Sequence, residues 1–142
     1  MRWLNWFKRA VPGPAHLKTG LWGEAVAVKH LKRQGYRIVD TRVRVGRRDE
    51  IDIIAQRNEV LIFVEVKTRA NERMGRPVAA VDRRKRDRLG RAAMRYMRSL
   101  RIQPPYFRFD VVEVIGSSGD RQPEVRHLEN VFQLPKGMRV PW

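Results

Sequence analysis

Five charged side chains stand where folding alone gives them little reason to be: Glu24, Asp52, Glu65, Lys67 and Lys85. Asp52 lies inside Glu50-Ile51-Asp52-Ile53-Ile54, and Glu65 and Lys67 lie inside Phe63-Val64-Glu65-Val66-Lys67. Both stretches are otherwise apolar enough to be strands of a core. Glu65 and Lys67, two apart, share a strand face with each other and with Phe63, while Asp52 shares one with Glu50 and Ile54. A tight turn at Arg57-Asn58-Glu59 makes the two strands antiparallel neighbours. With Asn58 central in that turn, Asp52 opposes Val64, and Glu65 lies one step diagonally away. A bulge or a one-residue change of register brings the two carboxylates onto one face. Carboxylates that converge within a few ångström repel, and persist only where something cancels their charge. Lys67 is one candidate and a divalent cation is another. Oxygen-only ligands suit Mg2+ or Mn2+. Such an ion polarises a phosphate and lowers the pKa of a bound water, and a lysine beside it orients that water or stabilises the charge on the phosphate.

Glu24 falls three residues after Leu21 and four before Val28, on or beside the apolar stripe of a helix. A carboxylate turned toward a sheet needs a partner, a hydrogen-bond network or a metal. Lys85 falls four after Val81 and four before Leu89, a cation on the apolar stripe of a second helix. It should point toward the sheet and whatever carboxylates sit there, and Arg69 is placed to reach the same spot. Arg84, Arg88, Arg91, Arg95 and Arg98 recur at helical spacing and form one outer stripe. A row of guanidinium groups can track a phosphate backbone, although such a row can equally be a solvated face.

The elements that must hold these residues follow from period and punctuation. Apolar positions at Leu21, Ala25, Val28 and Leu31 predict a helix over 19–34, stopped by Gly35 with Tyr36 packing back. Residues 36–45 are nearly alternate and predict a strand with one wet face and a bulge near Val39. Residues 50–56 and 60–67 predict two more strands, the latter central and covered on both faces. A long helix is predicted over 78–100, ended by Pro104 and Pro105, with Val78, Val81, Leu89, Ala92, Ala93, Tyr96 and Leu100 inward. Strands over 106–115 and 124–128 complete the order α-β-β-β-α-β-β, an α/β (α+β) domain with a central mixed five-stranded sheet flanked by helices. Residues 1–18 form a basic, aromatic arm carrying Trp3, Trp6 and Phe7, residues 19–134 the domain, and residues 135–142 a tail. His16, His30 and His127 have no ligand spacing and are expected to be structural or exposed.

Composition bounds the function. Lys plus Arg is 31 against 15 Asp plus Glu, a formal net charge of +16 over 142 residues. A small domain that basic repels itself unless it meets a polyanion, nucleic acid first and an anionic membrane surface second. With no cysteine, thiolate zinc sites, disulfides and cysteine nucleophiles are excluded. No apolar run reaches the ~18 residues of a transmembrane helix, and residues 1–18 lack the h-region of a secretory signal. A cytoplasmic location, without stable membrane insertion, is the expectation.

Taken together, an Asp followed thirteen residues later by Glu-x-Lys on the adjacent strand, after a helix with an inward Glu, resembles the PD-(D/E)XK nuclease superfamily, the restriction-endonuclease-like fold. Residues 17–132 resemble one branch more closely, the bacterial YraN-like family. The match runs through Gly20-x-x-Gly23-Glu24-x-x-Ala27, Leu31, Gly35-Tyr36, Glu50-Ile51-Asp52-Ile53-Ile54 and Phe63-Val64-Glu65-Val66-Lys67-Thr68-Arg69. It continues through Lys85, Arg108-Phe109-Asp110-Val111-Val112, His127-Leu128 and Phe132. Two positions depart from that pattern: Asp49 replaces a glycine, and a usual asparagine in the first strand is absent, with Thr41 nearest.

The resemblance implies Asp52 and Glu65 as metal ligands, Lys67 as the catalytic cation and Glu24 as the first-helix acid, similar to archaeal-type Holliday junction resolvases. With Lys85 these are the candidate catalytic residues, and Arg69, Arg84, Arg88, Arg91, Arg95 and Arg98 the candidate nucleic-acid contacts. The expected activity is Mg2+- or Mn2+-dependent endonucleolytic hydrolysis of phosphodiesters, in DNA before RNA, including branched or damaged DNA. Cutting both strands would favour a homodimer. The alternatives are a nucleic-acid-binding module that does not cleave, and a basic structural protein held to RNA or an anionic membrane by its arm.

Overall fold

The computed structural model describes residues 15–134 and 136–138, with side chains from Lys18 onward. The aromatic arm residues Trp3, Trp6 and Phe7, and most of the tail, lie outside the described residues. Helix α1 spans Ala15–Arg33, followed by β1 (Arg37–Val45), β2 (Asp49–Arg57) and β3 (Val60–Arg69). A short 3-10 turn at Pro77–Ala80 leads to α2 (Arg83–Arg98), β4 (Tyr106–Ile115) and β5 (Glu124–Phe132). The strands form one sheet in the order β1-β2-β3-β4-β5. All neighbours are antiparallel except β3 and β4, which run parallel with α2 as their crossover. This is the α+β architecture expected, a five-stranded mixed sheet flanked by two helices.

Local chemistry sets the boundaries. Gly35 takes φ 88°, and the Tyr36 N–H returns to the Leu31 carbonyl at 3.0 Å, so the chain leaves α1 with Tyr36 packed inward. Among the described residues α1 includes 15–18, so the expected arm-to-domain boundary at 18/19 falls inside it. The β1–β2 register shifts between Ile38 and Asp40, the bulge expected near Val39. The second helix is shorter than the periodicity suggested. Asp82 adopts an extended backbone and its carboxylate accepts the Lys85 N–H at 3.0 Å, capping α2 and separating it from Pro77–Ala80. β5 runs on to Phe132, past the expected end at Leu128, because Phe132 pairs with Phe109 and stacks on its ring.

The sheet is buried on both faces. Ala27, Val28 and Leu31 of α1 cover Ile53, Ile62, Val64 and Val112. Leu89, Ala92, Ala93, Met94 and Met97 of α2 cover Ile51, Ile54, Phe63 and Phe109 on the other side. Each Val, Leu, Ile, Phe or Met side chain among them, fully buried, stabilises the fold by about 1.5–3 kcal/mol. Met94 and Met97 are core residues that the expected inward set did not include. Among the described residues, no helix is long and apolar enough to cross a membrane.

Candidate metal centre and its approaches

The site is built where the β2–β3 ladder ends and the β1–β2 ladder skips one pair. β2 and β3 pair from Arg57↔Val60 to Ile53↔Val64, and the pairing stops there. The connection is therefore the two residues Asn58 and Glu59, with Asn58 at φ 53°, and the register is one residue off the Asn58-centred turn. That shift makes Glu65 the next residue opposite Asp52. In place of a further backbone rung, the Val66 N–H donates to Asp52 Oδ2 at 2.8 Å. On the other edge, β1 and β2 pair at Thr41↔Ile53 and Val43↔Ile51, skipping Arg42 and Asp52. Arg42 sits at φ 50°, a left-handed conformation that costs a non-glycine residue about 1–2 kcal/mol. The face alternation of β2 breaks at the same point, since Ile51 and Ile54 join one core and Ile53 the other.

Helix α1 brings Glu24 to this fork. A β-carbon on Gly23 would collide with the Thr68 side chain, so only glycine lets α1 lie this close to the end of β3. Glu24, the next residue, has a side chain only 15 % exposed. Its Oε2 is buried and accepts no hydrogen bond among the described residues. The nearest cation, Arg42 Nε, lies 3.6 Å away and is itself buried without a hydrogen-bond partner. The same Nε lies 3.7 Å from Glu50 on the rim. Glu24, Glu50 and Asp52 each bring one carboxylate oxygen within 4.8 Å of the others.

The basic half of the site comes from β3 and α2. Lys67 Nζ pairs with Glu65 Oε1 at 3.0 Å, and both side chains are mostly buried. Lys85, in the first turn of α2, reaches the Lys67 side chain. The protein thus brings Glu24, Asp52, Glu65, Lys67 and Lys85 together from four elements.

The electrostatics follow from burial and crowding of the acids. Burial pushes Glu24 up to about 7, against the pull of Arg42, and Glu50 and Glu65 add to the rise. Burial and then the Glu65 carboxylate raise Asp52 well above the usual carboxylate range, and the Val66 N–H offsets only part of this. Contact with Lys67, followed by burial, lowers Lys85. These are acids short of positive charge, with an all-oxygen donor set and an orphaned buried oxygen. That combination fits a hard divalent cation.

The remaining expectations divide. Arg69 does not reach the carboxylates: it is the last residue of β3, exposed, and its guanidinium bonds the Thr68 carbonyl at 2.8 Å. Arg84, Arg88, Arg91, Arg95 and Arg98 are all exposed along α2. Arg95 packs over Gly46 in the β1–β2 connection, where a β-carbon would strike its guanidinium. His127 is structural, bonded through Nε2 to buried Asp110 at 2.7 Å. Sequence reasoning did not select Glu50 or Arg42. Glu50 carried a signal, being two residues from Asp52 on the same strand. Arg42 carried none, because a left-handed arginine in a basic strand looks like any other.

Residues 23–114 match the sequence model of the family described as "Uncharacterised protein family UPF0102". The chain belongs to the UPF0102 family, the YraN-like family of the resemblance. A UPF0102 protein of Porphyromonas gingivalis is 41% identical over 119 residues, covering 84% of this chain and 87% of the relative. One from Symbiobacterium thermophilum is 45% identical over 115 residues, 81% of this chain and 96% of the relative. One from Chlorobaculum tepidum is 42% identical over 119 residues, 81% and 92% respectively. The match to the UPF0102 model begins at Gly23 and ends at Val114 of β4, so it contains all five residues of the cluster.

Proposed function

We propose that this UPF0102 protein is a nucleic-acid-binding, metal-dependent endonuclease. The observation that carries the reading is the β2–β3 fork, where Asp52, Glu65 and Glu24 converge with Lys67 and Lys85 on largely buried ground. Glu24, Asp52 and Glu65 would hold Mg2+ or Mn2+, with Glu50 at the rim. When bound, the ion supplies phosphate polarisation and a water acidic enough to attack near neutral pH.

The chain's own groups do the rest. Lys67 offers its ammonium to the charge that builds on the phosphate, with Glu65 fixing its position. Lys85 adds a second cation behind it. The exposed arginines of α2 hold neighbouring backbone phosphates, which positions the strand without reading its sequence. DNA is the expected polymer, and a double-strand cut would use two copies of the chain.

The test is cleavage with Mg2+ or Mn2+ over single-stranded, duplex, flapped and four-way DNA and over RNA, with Glu65→Ala and Lys67→Ala purified identically. Wild type should cut, and each variant should lose at least ~100-fold in rate while still binding. Equal cleavage by Glu65→Ala would refute the assignment. The arginine face of α2 also supports a second reading, a binder that does not cut. Salt-sensitive binding by wild type and both variants, with no cleavage by any of them, is the result that reading expects.

A further inference from the structure

Four carboxylates meet at the fork, Glu24, Glu50, Asp52 and Glu65, and three cations answer them: Arg42, Lys67 and Lys85. Lys67 belongs to Glu65 and touches Lys85, so among the described residues Arg42 is the cation paired with Glu24 and Glu50. Its position is unusual in three independent ways. The backbone is left-handed at φ 50°, at a position the β1–β2 pairing skips. Its Nε lies 3.6 Å from Glu24 and 3.7 Å from Glu50, so one guanidinium edge sits between two acids. Neither the Arg42 Nε nor the Glu24 Oε2 makes a hydrogen bond among the described residues, although both atoms are buried. Arginine–carboxylate pairs are frequently bidentate, with short charge-assisted bonds. This one stands off at ion-pair distance, beside carboxylate oxygens that lie within 4.8 Å of one another.

We propose that Arg42 is a resident counter-cation that competes with the divalent ion for the Glu24 end of the site. In the metal-free protein the guanidinium screens Glu24 and Glu50. An ion loaded on Glu24 and Asp52 is repelled by that guanidinium, because both cations draw on the same Glu24 carboxylate. Arg42 thereby sets how tightly the site holds metal. The inference rests on the reading of these carboxylates as a cation site.

Mn2+ binding by calorimetry at pH 8 tests it, on wild type, Arg42→Gln and Arg42→Gly. Arg42→Gly also removes the left-handed strain, so it guards against a variant that fails to fold, and circular dichroism checks each protein. The expected result is Mn2+ binding by wild type and binding tighter by about tenfold or more in both variants, because one competing charge has been removed. Folded variants that bind Mn2+ as wild type does, or more weakly, would overturn the role of Arg42 and leave the metal centre standing. Absence of saturable Mn2+ binding by all three proteins would overturn the metal centre and the inference with it.

Discussion

The molecule handles buried carboxylates in two opposite ways. On β4, Asp110 and Glu113 are fully buried and fully answered. Asp110 accepts from Arg108 Nε at 2.9 Å, from the Asn130 N–H at 2.9 Å, and bonds His127 at 2.7 Å. Burial alone would raise its pKa, but those bonds outweigh burial and hold it below the usual value. Glu113 accepts from Arg76 and from the Val78 N–H, both at 2.8 Å, which ties the approach to α2 onto the sheet. At the fork, Glu24 and Asp52 are pushed up instead of down. The chain carries 31 lysines and arginines, so the shortage at the fork is local and not one of supply. One pair of acids is finished by the protein, and the other cluster is left to be finished by something else.

The largest expected difference is in stability. Asp110→Ala leaves Arg108 and His127 facing a void and should cost about 3–5 kcal/mol in chemical denaturation. Asp52→Asn keeps an acceptor for the Val66 N–H and removes a crowded charge. Without metal it should leave the protein as stable or raise Tm by a few degrees. If Asp52→Asn destabilised as much as Asp110→Ala, the contrast between the two regions would collapse.

The pH dependence sharpens the same contrast. Glu24 titrates near 7 when folded and near 4.5 when unfolded, so the native state binds the proton more tightly. Stability should therefore fall as pH rises from about 4.5 to about 7, by up to about 3 kcal/mol from this group. Glu24→Gln should flatten that fall in urea midpoints measured across the range. Asp110 has the opposite sign, with stability lost as pH drops through its lowered pKa. A smaller effect is expected from Gly23→Ala. The new methyl meets Thr68, so about 1–3 kcal/mol should be lost and metal affinity should weaken as Glu24 shifts. Least disruptive to the fold, Arg88→Glu and Arg91→Glu should leave Tm nearly unchanged. They should weaken nucleic-acid binding and reduce its salt slope by about one for each phosphate no longer neutralised.

Much of the frame was legible in the sequence, for physical reasons. The central strand showed itself as an apolar run because β3 is covered on both faces. Gly35-Tyr36 marked the end of α1, and the bulge at Val39 showed as a slip in alternation. The inward Glu24 and Lys85 stood out because a charge on an apolar stripe breaks the helical pattern. What the pattern could not reveal was register. Whether Asp52 meets Val64 or Glu65 turns on one residue in the Asn58-Glu59 connection, and either turn satisfies the same local chemistry. The break at Asp82 was hidden because Val78 and Val81 continue the spacing of α2 across it. Glu113 was silent because its partners, Arg76 and the Val78 N–H, come from a loop whose path no periodicity dictates.

The central claim is that the carboxylates at the fork form a divalent-cation site, and diffraction from Mn2+-soaked crystals at the manganese edge tests it most directly. The expected result is an anomalous peak between Asp52, Glu65 and Glu24 that disappears in Asp52→Asn. Peaks confined to other surface acids, with the fork unchanged at saturating Mn2+, would contradict it.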